Sequence, residues 1–109
     1  MRLTEEPKVK VSVRMPALYM KMLRDMAYNN GNIKSVNRIV VDAISIYIDS
    51  NANISDNTVY RDYEIATFLI PVSVYAKLSR YIEERKISIS EAVRNSVYYY
   101  LNTVVNDGD

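Results

Sequence analysis

An internal repeat limits the folds open to this chain more than any other feature of its sequence. The stretch VRMPALYMKML at 13–23 returns as FLIPVSVYAKL at 68–78, with Pro16 and Pro71 standing 55 residues apart. After each proline the apolar residues recur with the period of an α-helix. Proline suits a strand-to-helix junction because the first helical turn leaves its N–H groups without intrahelical partners. The repeat therefore predicts a strand–helix unit that occurs twice.

A second helix follows the first in each copy. In the first copy Gly31 supplies a left-handed stop, and Ser35 or Asn37 can cap the next helix. In the second copy Ser88 or Ser90 has the capping role. The predicted first unit covers 8–49, with a strand at 8–15 and helices at about 17–29 and 36–49; a polar linker covers 50–62; and the second unit covers 63–105, with a strand at 64–70 and helices at about 72–86 and 90–104.

A single unit of this size cannot stand alone. It buries too little apolar surface, and a lone strand has no partner for its backbone hydrogen bonds. Two units must therefore join, with their strands paired as an antiparallel ribbon over an intertwined helical core. The predicted fold class is mainly α with short β-ribbon strands.

The first strand, KVKVSVRMP at 8–16, alternates strictly between apolar and polar residues. This period of two is typical of a strand with one buried and one exposed face. The exposed positions are all basic or hydroxyl-bearing: Lys8, Lys10, Ser12 and Arg14. The net charge of the chain is only +1, but residues 8–49 hold seven Lys or Arg and three acidic residues. Positive charge is therefore concentrated in the half that contains this strand.

The composition argues against several classes of protein. There is no cysteine or histidine, which removes thiolate and imidazole metal ligands and the commonest general base. With two glycines there is no glycine-rich phosphate loop. We therefore expect no enzyme, no cofactor and no small-molecule ligand. No apolar run reaches the length of a membrane span and the N-terminus lacks the apolar core of a signal peptide, so we expect a cytoplasmic protein without a membrane partner.

A strand followed by two helices, with an obligatory strand partner, resembles the ribbon-helix-helix family of DNA-binding regulators, the MetJ/Arc/CopG class. The resemblance rests on KVSVRMP and AYNNG…SVN in the first copy and SEAVRNSVYYYL in the second, and extends over about 8–105. It implies a tandem ribbon-helix-helix chain, β-α-α twice, with an intertwined dimer-type fold. A tandem chain so rich in Tyr, Ile and Asn also resembles small regulators of archaeal viruses, which act in the host cytoplasm.

The resemblance implies that the ribbon enters the major groove of double-stranded DNA. Carried over by position, Lys10, Ser12 and Arg14 contact base edges, and Lys8 lies at the rim. The start of the second helix contacts a backbone phosphate through Lys34, Ser35, Val36 and Asn37. A plainer interpretation is that the basic strand face is only solvated, with its charges preventing edge-to-edge aggregation, and that the helix start is only capped.

The second strand departs from the family pattern where bases would be read. Its outward positions are Ile65, Thr67 and Leu69, of which none is basic, and its inward face is also apolar, which suits burial on both sides. The VYYYL stretch adds three tyrosines that cannot all face one core. We therefore predict that Ile65, Thr67, Leu69, Tyr98 and Tyr99 serve oligomerisation.

Two assemblies satisfy these patterns. The copies can pair within one chain, or the first copy can pair with the first copy of another chain while the second forms a separate dimerisation module. The second assembly is favoured because a symmetric basic ribbon reads a palindrome better. The predicted function is a sequence-specific transcription regulator, such as a repressor, that binds as a homodimer or higher homo-oligomer to a palindromic or repeated operator near its own gene. The alternative is an antitoxin-like or architectural protein whose main role is protein–protein assembly.

Overall fold

The computed structural model describes residues 6–29, 35–52 and 54–105 of the 109-residue chain. The predicted helix stop at Gly31 lies outside these ranges. The elements follow in the order β1 (Lys8–Pro16), α1 (Ala17–Asn29), α2 (Val36–Asp49), β2 (Tyr63–Pro71), α3 (Val72–Arg85), α4 (Ile89–Tyr99) and a π-helical segment, Tyr100–Val105.

The two strands pair with each other in one antiparallel sheet. Ser12 stands opposite Thr67, so the centre of the ribbon joins two positions that the repeat makes equivalent. Each strand end is closed by a further backbone bond. The N–H of Ala17 donates to the carbonyl of Asp62 at 2.9 Å, and the N–H of Val72 donates to the carbonyl of Pro7 at 3.0 Å. Both junctions therefore satisfy the first amide of the following helix in the same way.

One hydrophobic core lies between the inner face of the ribbon and the helices. Val13, Met15 and Ile70 are the innermost ribbon residues, each no more than 1% exposed. They pack with equally buried residues from all four helices: Leu23, Ile39, Val40, Ala43, Ile44, Leu78, Ala92, Val93 and Val97. Each buried valine, leucine, isoleucine or methionine side chain in this set stabilises the folded chain by about 1.5–3 kcal/mol relative to exposure. Both copies of the repeat therefore share one core.

The predicted fold class, a tandem ribbon-helix-helix chain in an intertwined dimer-type fold, is wrong. Over the described residues the structure has four α-helices and a single two-stranded sheet in a β-α-α-β-α-α order. Both strands of that sheet belong to one chain, so the favoured pairing of first copies from two chains is also overturned. The physical reason is the linker. It tethers the second strand near the first, and an intramolecular partner at high effective concentration competes with a partner on another chain.

A buried polar cluster holds that linker in place. Asp56 is only 4% exposed, and its Oδ2 accepts hydrogen bonds from the hydroxyls of Tyr19 at 2.5 Å and Tyr60 at 2.8 Å. Its Oδ1 accepts from the N–H of Thr58 at 3.1 Å. The backbone N–H of Asp56 donates to Oδ1 of Asn95 at 2.9 Å. One aspartate thus ties the linker to Tyr19 of α1 and to Asn95 of α4.

Because of this cluster, the free energy of unfolding should depend on pH in the acid range. Burial raises the pKa of Asp56, but the hydrogen bonds from Tyr19, Tyr60 and Thr58 outweigh burial and hold the pKa below its ordinary value of 3.8. A carboxyl whose pKa is depressed by folding contributes stability above its unfolded pKa and loses it as the pH falls through the folded pKa. We therefore expect Asp56→Asn to lower the free energy of unfolding by about 1–3 kcal/mol at neutral pH. The difference in the free energy of unfolding between Asp56→Asn and wild type should become smaller below pH 3.8.

Urea unfolding of both proteins across the acid range measures this difference. Asp25→Asn is the matched control, because the Asp25 carboxylate is 60% exposed and pairs with Lys21 at 3.5 Å on the surface. An exposed pair of this kind contributes at most about 1 kcal/mol. If the Asp56→Asn difference stayed constant down to the lowest pH at which the protein is folded, the carboxylate would not be the group responsible.

Candidate nucleic-acid interface

The exposed face of the ribbon is built by the alternation of both strands. Its side chains form cross-strand rows, in which Lys10 stands beside Leu69, Ser12 beside Thr67, and Arg14 beside Ile65. All of these residues are exposed. The strand β1 supplies the basic side chains of these rows and β2 supplies the apolar ones. Within the described chain the outer face of β2 is uncovered, with Ile65 70% and Leu69 45% exposed, so its predicted burial against another protein stays a prediction.

The central row is a pair of hydroxyls. Ser12 Oγ and Thr67 Oγ1 lie 3.0 Å apart, and either can be the donor. Each hydroxyl can donate one hydrogen bond and accept others, so the pair keeps donor and acceptor capacity after its internal bond is made. This polar centre is exposed between two rows that each combine one basic and one apolar side chain.

Arg14 is held more firmly than its exposure suggests. Its guanidinium carbon lies 4.5 Å from the centroid of the Tyr63 ring, which is the distance of a cation–π contact. Its backbone N–H donates to Ser90 Oγ at 3.0 Å. The side chain also lines an open pocket of about 300 Å³ together with Arg61 and Tyr63. Arg14 is therefore held at one end of the ribbon by Ser90, which bonds its backbone, and by Tyr63, which contacts its side chain.

Arg61 is a candidate residue that the sequence analysis missed. It stood in the predicted linker, and it reaches Arg14 only through the position of β2 beside β1. Glu64, which lines the same pocket, accepts a hydrogen bond from Arg24 Nη2 at 2.8 Å. Because Arg24 offsets the charge of Glu64, the positive charge of the pocket comes from Arg14 and Arg61. Only knowledge of the strand partner could have indicated Arg61.

The start of α2 rests against the outer edge of β2. Asn37 Nδ2 donates to the carbonyl of Leu69 at 2.9 Å, and Asn37 Oδ1 accepts from the N–H of Leu69 at 2.8 Å. Ser35 is the cap, since its Oγ accepts from the N–H of Arg38 at 3.2 Å. The side chain of Asn37 is therefore committed to the ribbon, and Val36 packs partly buried against the core. Lys34 lies outside the described residues.

The start of α4 rests against the outer edge of β1 in the same way. Ser88 caps α4 by accepting from the N–H of Glu91 at 3.0 Å, and Ser90 accepts from Arg14. Each free strand edge is thus bonded to one helix start, which blocks further strand addition there. Lys8 begins β1 at the opposite end from Arg14 and is exposed beside Pro71.

The residues predicted for oligomerisation are divided between two environments. Ile65, Thr67 and Leu69 lie on the ribbon face beside the basic strand. Tyr99 instead makes an edge contact with the ring of Tyr47 within the same chain, at 5.6 Å between centroids. Tyr98 is partly buried against the core. Their role in oligomerisation stays a prediction.

Over 6–29, 35–52 and 54–105, no group of three or more carboxylates could hold a metal ion. The helices in that part of the chain are each too short or too polar to cross a membrane. No family model, curated protein or solved structure matches the chain.

Proposed function

We propose that the chain is a sequence-specific regulator of transcription that inserts its two-stranded ribbon into the major groove of double-stranded DNA. The observation that supports this most is the exposed ribbon face, with Lys10, the Ser12–Thr67 hydroxyl pair and Arg14 in successive rows. The major groove of B-DNA admits a two-stranded β-ribbon. A ribbon with a basic, hydrogen-bonding face has the charge and the shape that this groove requires.

Each kind of side chain on this face has a matching feature in the groove. Arg14 can donate two hydrogen bonds to O6 and N7 of guanine, and Lys10 can donate to the same atoms with less directional constraint. The Ser12–Thr67 pair can donate to or accept from a base edge. Ile65 and Leu69 can contact the methyl group of thymine, the one apolar feature in the groove. The exposed apolar residues are therefore compatible with DNA.

Backbone contacts would complete the interface. Arg61 and Lys8 lie at opposite ends of the ribbon, where the groove walls carry phosphates. The start of α2 at Ser35, Val36 and Asn37 offers first-turn N–H groups and the positive end of a helix dipole. Asn37 would contribute through its backbone, because its side chain is engaged by Leu69. Lys34 precedes this helix in sequence and would add charge.

Regulation follows from occupancy of an operator near the chain's own gene. We propose that the protein acts in the cytoplasm as a homodimer or higher homo-oligomer on a palindromic or repeated operator, as a repressor in the simplest case. Because one chain already supplies both strands of the ribbon, each chain would occupy one half-site or one repeat.

A second candidate function is protein–protein assembly through the same face, as in an antitoxin-like or architectural protein. The observation that favours it is the exposure of Ile65 at 70% and Leu69 at 45%. Apolar side chains of this size are common in the centres of interfaces. If this candidate is right, Ile65→Ser would abolish self-association or partner binding and would leave DNA affinity unchanged.

Binding to DNA from upstream of the gene, against scrambled competitor, tests the proposal. We expect wild type to prefer the upstream DNA at physiological salt. Lys10→Gln should weaken binding to the upstream DNA more than binding to scrambled DNA, because it removes a donor to a base edge. Lys21→Gln is the matched control, since it removes the same charge from α1, where the Lys21 side chain is 73% exposed. Equal effects of the two substitutions, or no preference by wild type, would contradict the proposal.

A further inference from the structure

We propose that each chain reads DNA in one direction only, on a site that is not itself palindromic, with a guanine under the Arg14 end of the ribbon. This inference rests on the proposed function and adds the class of sequence that the ribbon recognises. It follows from a comparison of the two ends of the ribbon. The repeat makes them equivalent in position, and the sequence makes them different in chemistry.

The register defines which positions correspond. Ser12 and Thr67 are 55 residues apart, as Pro16 and Pro71 are, and they face each other at the centre. A half-turn about this centre exchanges Arg14 with Leu69 and Lys10 with Ile65. A ribbon made from two identical strands would place the same side chain at both members of each pair. Here a basic residue is exchanged with an apolar one in both cases, so the face has no two-fold symmetry.

The Arg14 end is the better base reader. Arg14 is stacked on Tyr63 at 4.5 Å, and its backbone is fixed by Ser90 at 3.0 Å. Stacking orients the planar guanidinium and lowers the conformational entropy that it loses on binding. A bidentate donor of this kind matches guanine O6 and N7 better than it matches any other base. The opposite end offers Lys10, which can donate to guanine but has no fixed fork.

The flanking residues reinforce the difference. Arg61 lies in the pocket beside Arg14 and Tyr63. The position that corresponds to Arg61 at the other end is Glu6, whose Oε2 accepts a hydrogen bond from the N–H of Ser73 at 2.5 Å. Arg61 attracts the phosphate that borders its end of the groove, whereas at the other end Glu6 lies near Lys8 and offsets part of its positive charge. Reversal of the ribbon on an asymmetric site would therefore bring the Lys10 end to the guanine and the phosphate that the two arginines match better.

The absence of cysteine from the chain allows this direction to be measured. Leu18→Cys and Ser73→Cys place a single thiol on exposed, repeat-equivalent residues at the starts of α1 and α3. Each variant would carry a tethered iron chelate that cleaves nearby DNA. The probe is the duplex that the unlabelled full chain prefers after selection from a randomised double-stranded library. Met22→Cys and Lys77→Cys form a second exposed, equivalent pair, for use if the first pair fails to fold.

Within each half-site or repeat of the selected duplex, we expect the Leu18 chelate to cut one flank and the Ser73 chelate to cut the other. The cutting should favour the proper flank by about tenfold, which corresponds to about 1.4 kcal/mol between the two orientations. The selected site should carry a guanine on the flank cut from Leu18. Equal cutting of both flanks of a single half-site or repeat by each variant would overturn the directional inference and leave the proposed function standing. A selection that yields no preferred sequence would overturn the proposed function itself.

Discussion

Replacement of Phe68 by alanine is expected to lower the free energy of unfolding by about 3–5 kcal/mol. Phe68 is 3% exposed on the inner face of β2, directly opposite Val11 on β1. Removal of its ring leaves a cavity in the one core that the two copies share, and packed surroundings close such a cavity only in part. A domain of this size is stable by about 5–15 kcal/mol in total, so the variant should be close to unfolding at physiological temperature. Urea unfolding followed by circular dichroism measures the loss.

The matched control for Phe68→Ala lies three residues earlier in the same strand. Ile65 is 70% exposed on the other face, and Ile65→Ala should change the free energy of unfolding by no more than about 0.5 kcal/mol. Both substitutions shorten an apolar side chain in β2, so strand propensity affects them alike and burial separates them. A Phe68→Ala protein as stable as Ile65→Ala would mean that β2 does not close the core of the chain in solution.

The buried face of each strand and helix could be predicted from the sequence, because it follows from local hydrophobic periodicity. The alternation of 8–16 places Val11, Val13 and Met15 on one face, and these residues are buried in the core. The same alternation leaves Lys10, Ser12 and Arg14 exposed. A hydrophobic period of two or 3.6 depends only on residues that are close in sequence. The buried face of a strand or helix can therefore be predicted without knowledge of the rest of the molecule.

The pairing of the two strands could not be predicted from periodicity. Whether β1 pairs within its chain or with another chain depends on the path of the linker. That path is fixed by contacts of Asp56 with Tyr19 and Asn95, which come from helices far away in sequence. In the sequence, the linker is a polar, asparagine-rich stretch of the kind that is usually solvated. Nothing local distinguishes a buried aspartate from an exposed one, and for this reason the predicted fold class failed.

The candidate interface also has residues that could be predicted from the sequence and residues that could not. The outward residues of β1 follow from alternation, whereas the proximity of Arg61 to Arg14 follows from the register of β2. The apolar outer face of β2 shows the same limit, because an apolar strand is buried on both faces only when something covers both of them. Within the described ranges the helices cover the inner face of the ribbon, and Ile65 stays exposed at 70% beside the basic strand.

Replacement of Arg14 by alanine is expected to weaken binding to the preferred DNA by roughly 5- to 150-fold, the equivalent of about 1–3 kcal/mol for one bidentate base contact. The fold should persist, because the hydrogen bond from Arg14 to Ser90 uses the backbone N–H and survives the substitution. The contact with Tyr63 that is lost is exposed and contributes only about 0.5–1 kcal/mol to stability. Affinity for preferred and scrambled DNA, measured beside the urea midpoint, separates recognition from unfolding.

Arg14→Lys is the substitution that decides whether Arg14 reads a base or only supplies charge. Lysine keeps the positive charge and the long side chain but lacks the planar fork that matches guanine. If Arg14 reads a base, the lysine variant should retain affinity for scrambled DNA and lose most of the preference for the selected sequence. If Arg14 supplies only charge, the lysine variant should behave as wild type on both DNAs, while alanine weakens both equally. In that second case the alternating strand would be a general electrostatic surface, and sequence discrimination would have to come from the Ser12–Thr67 pair or from Lys10.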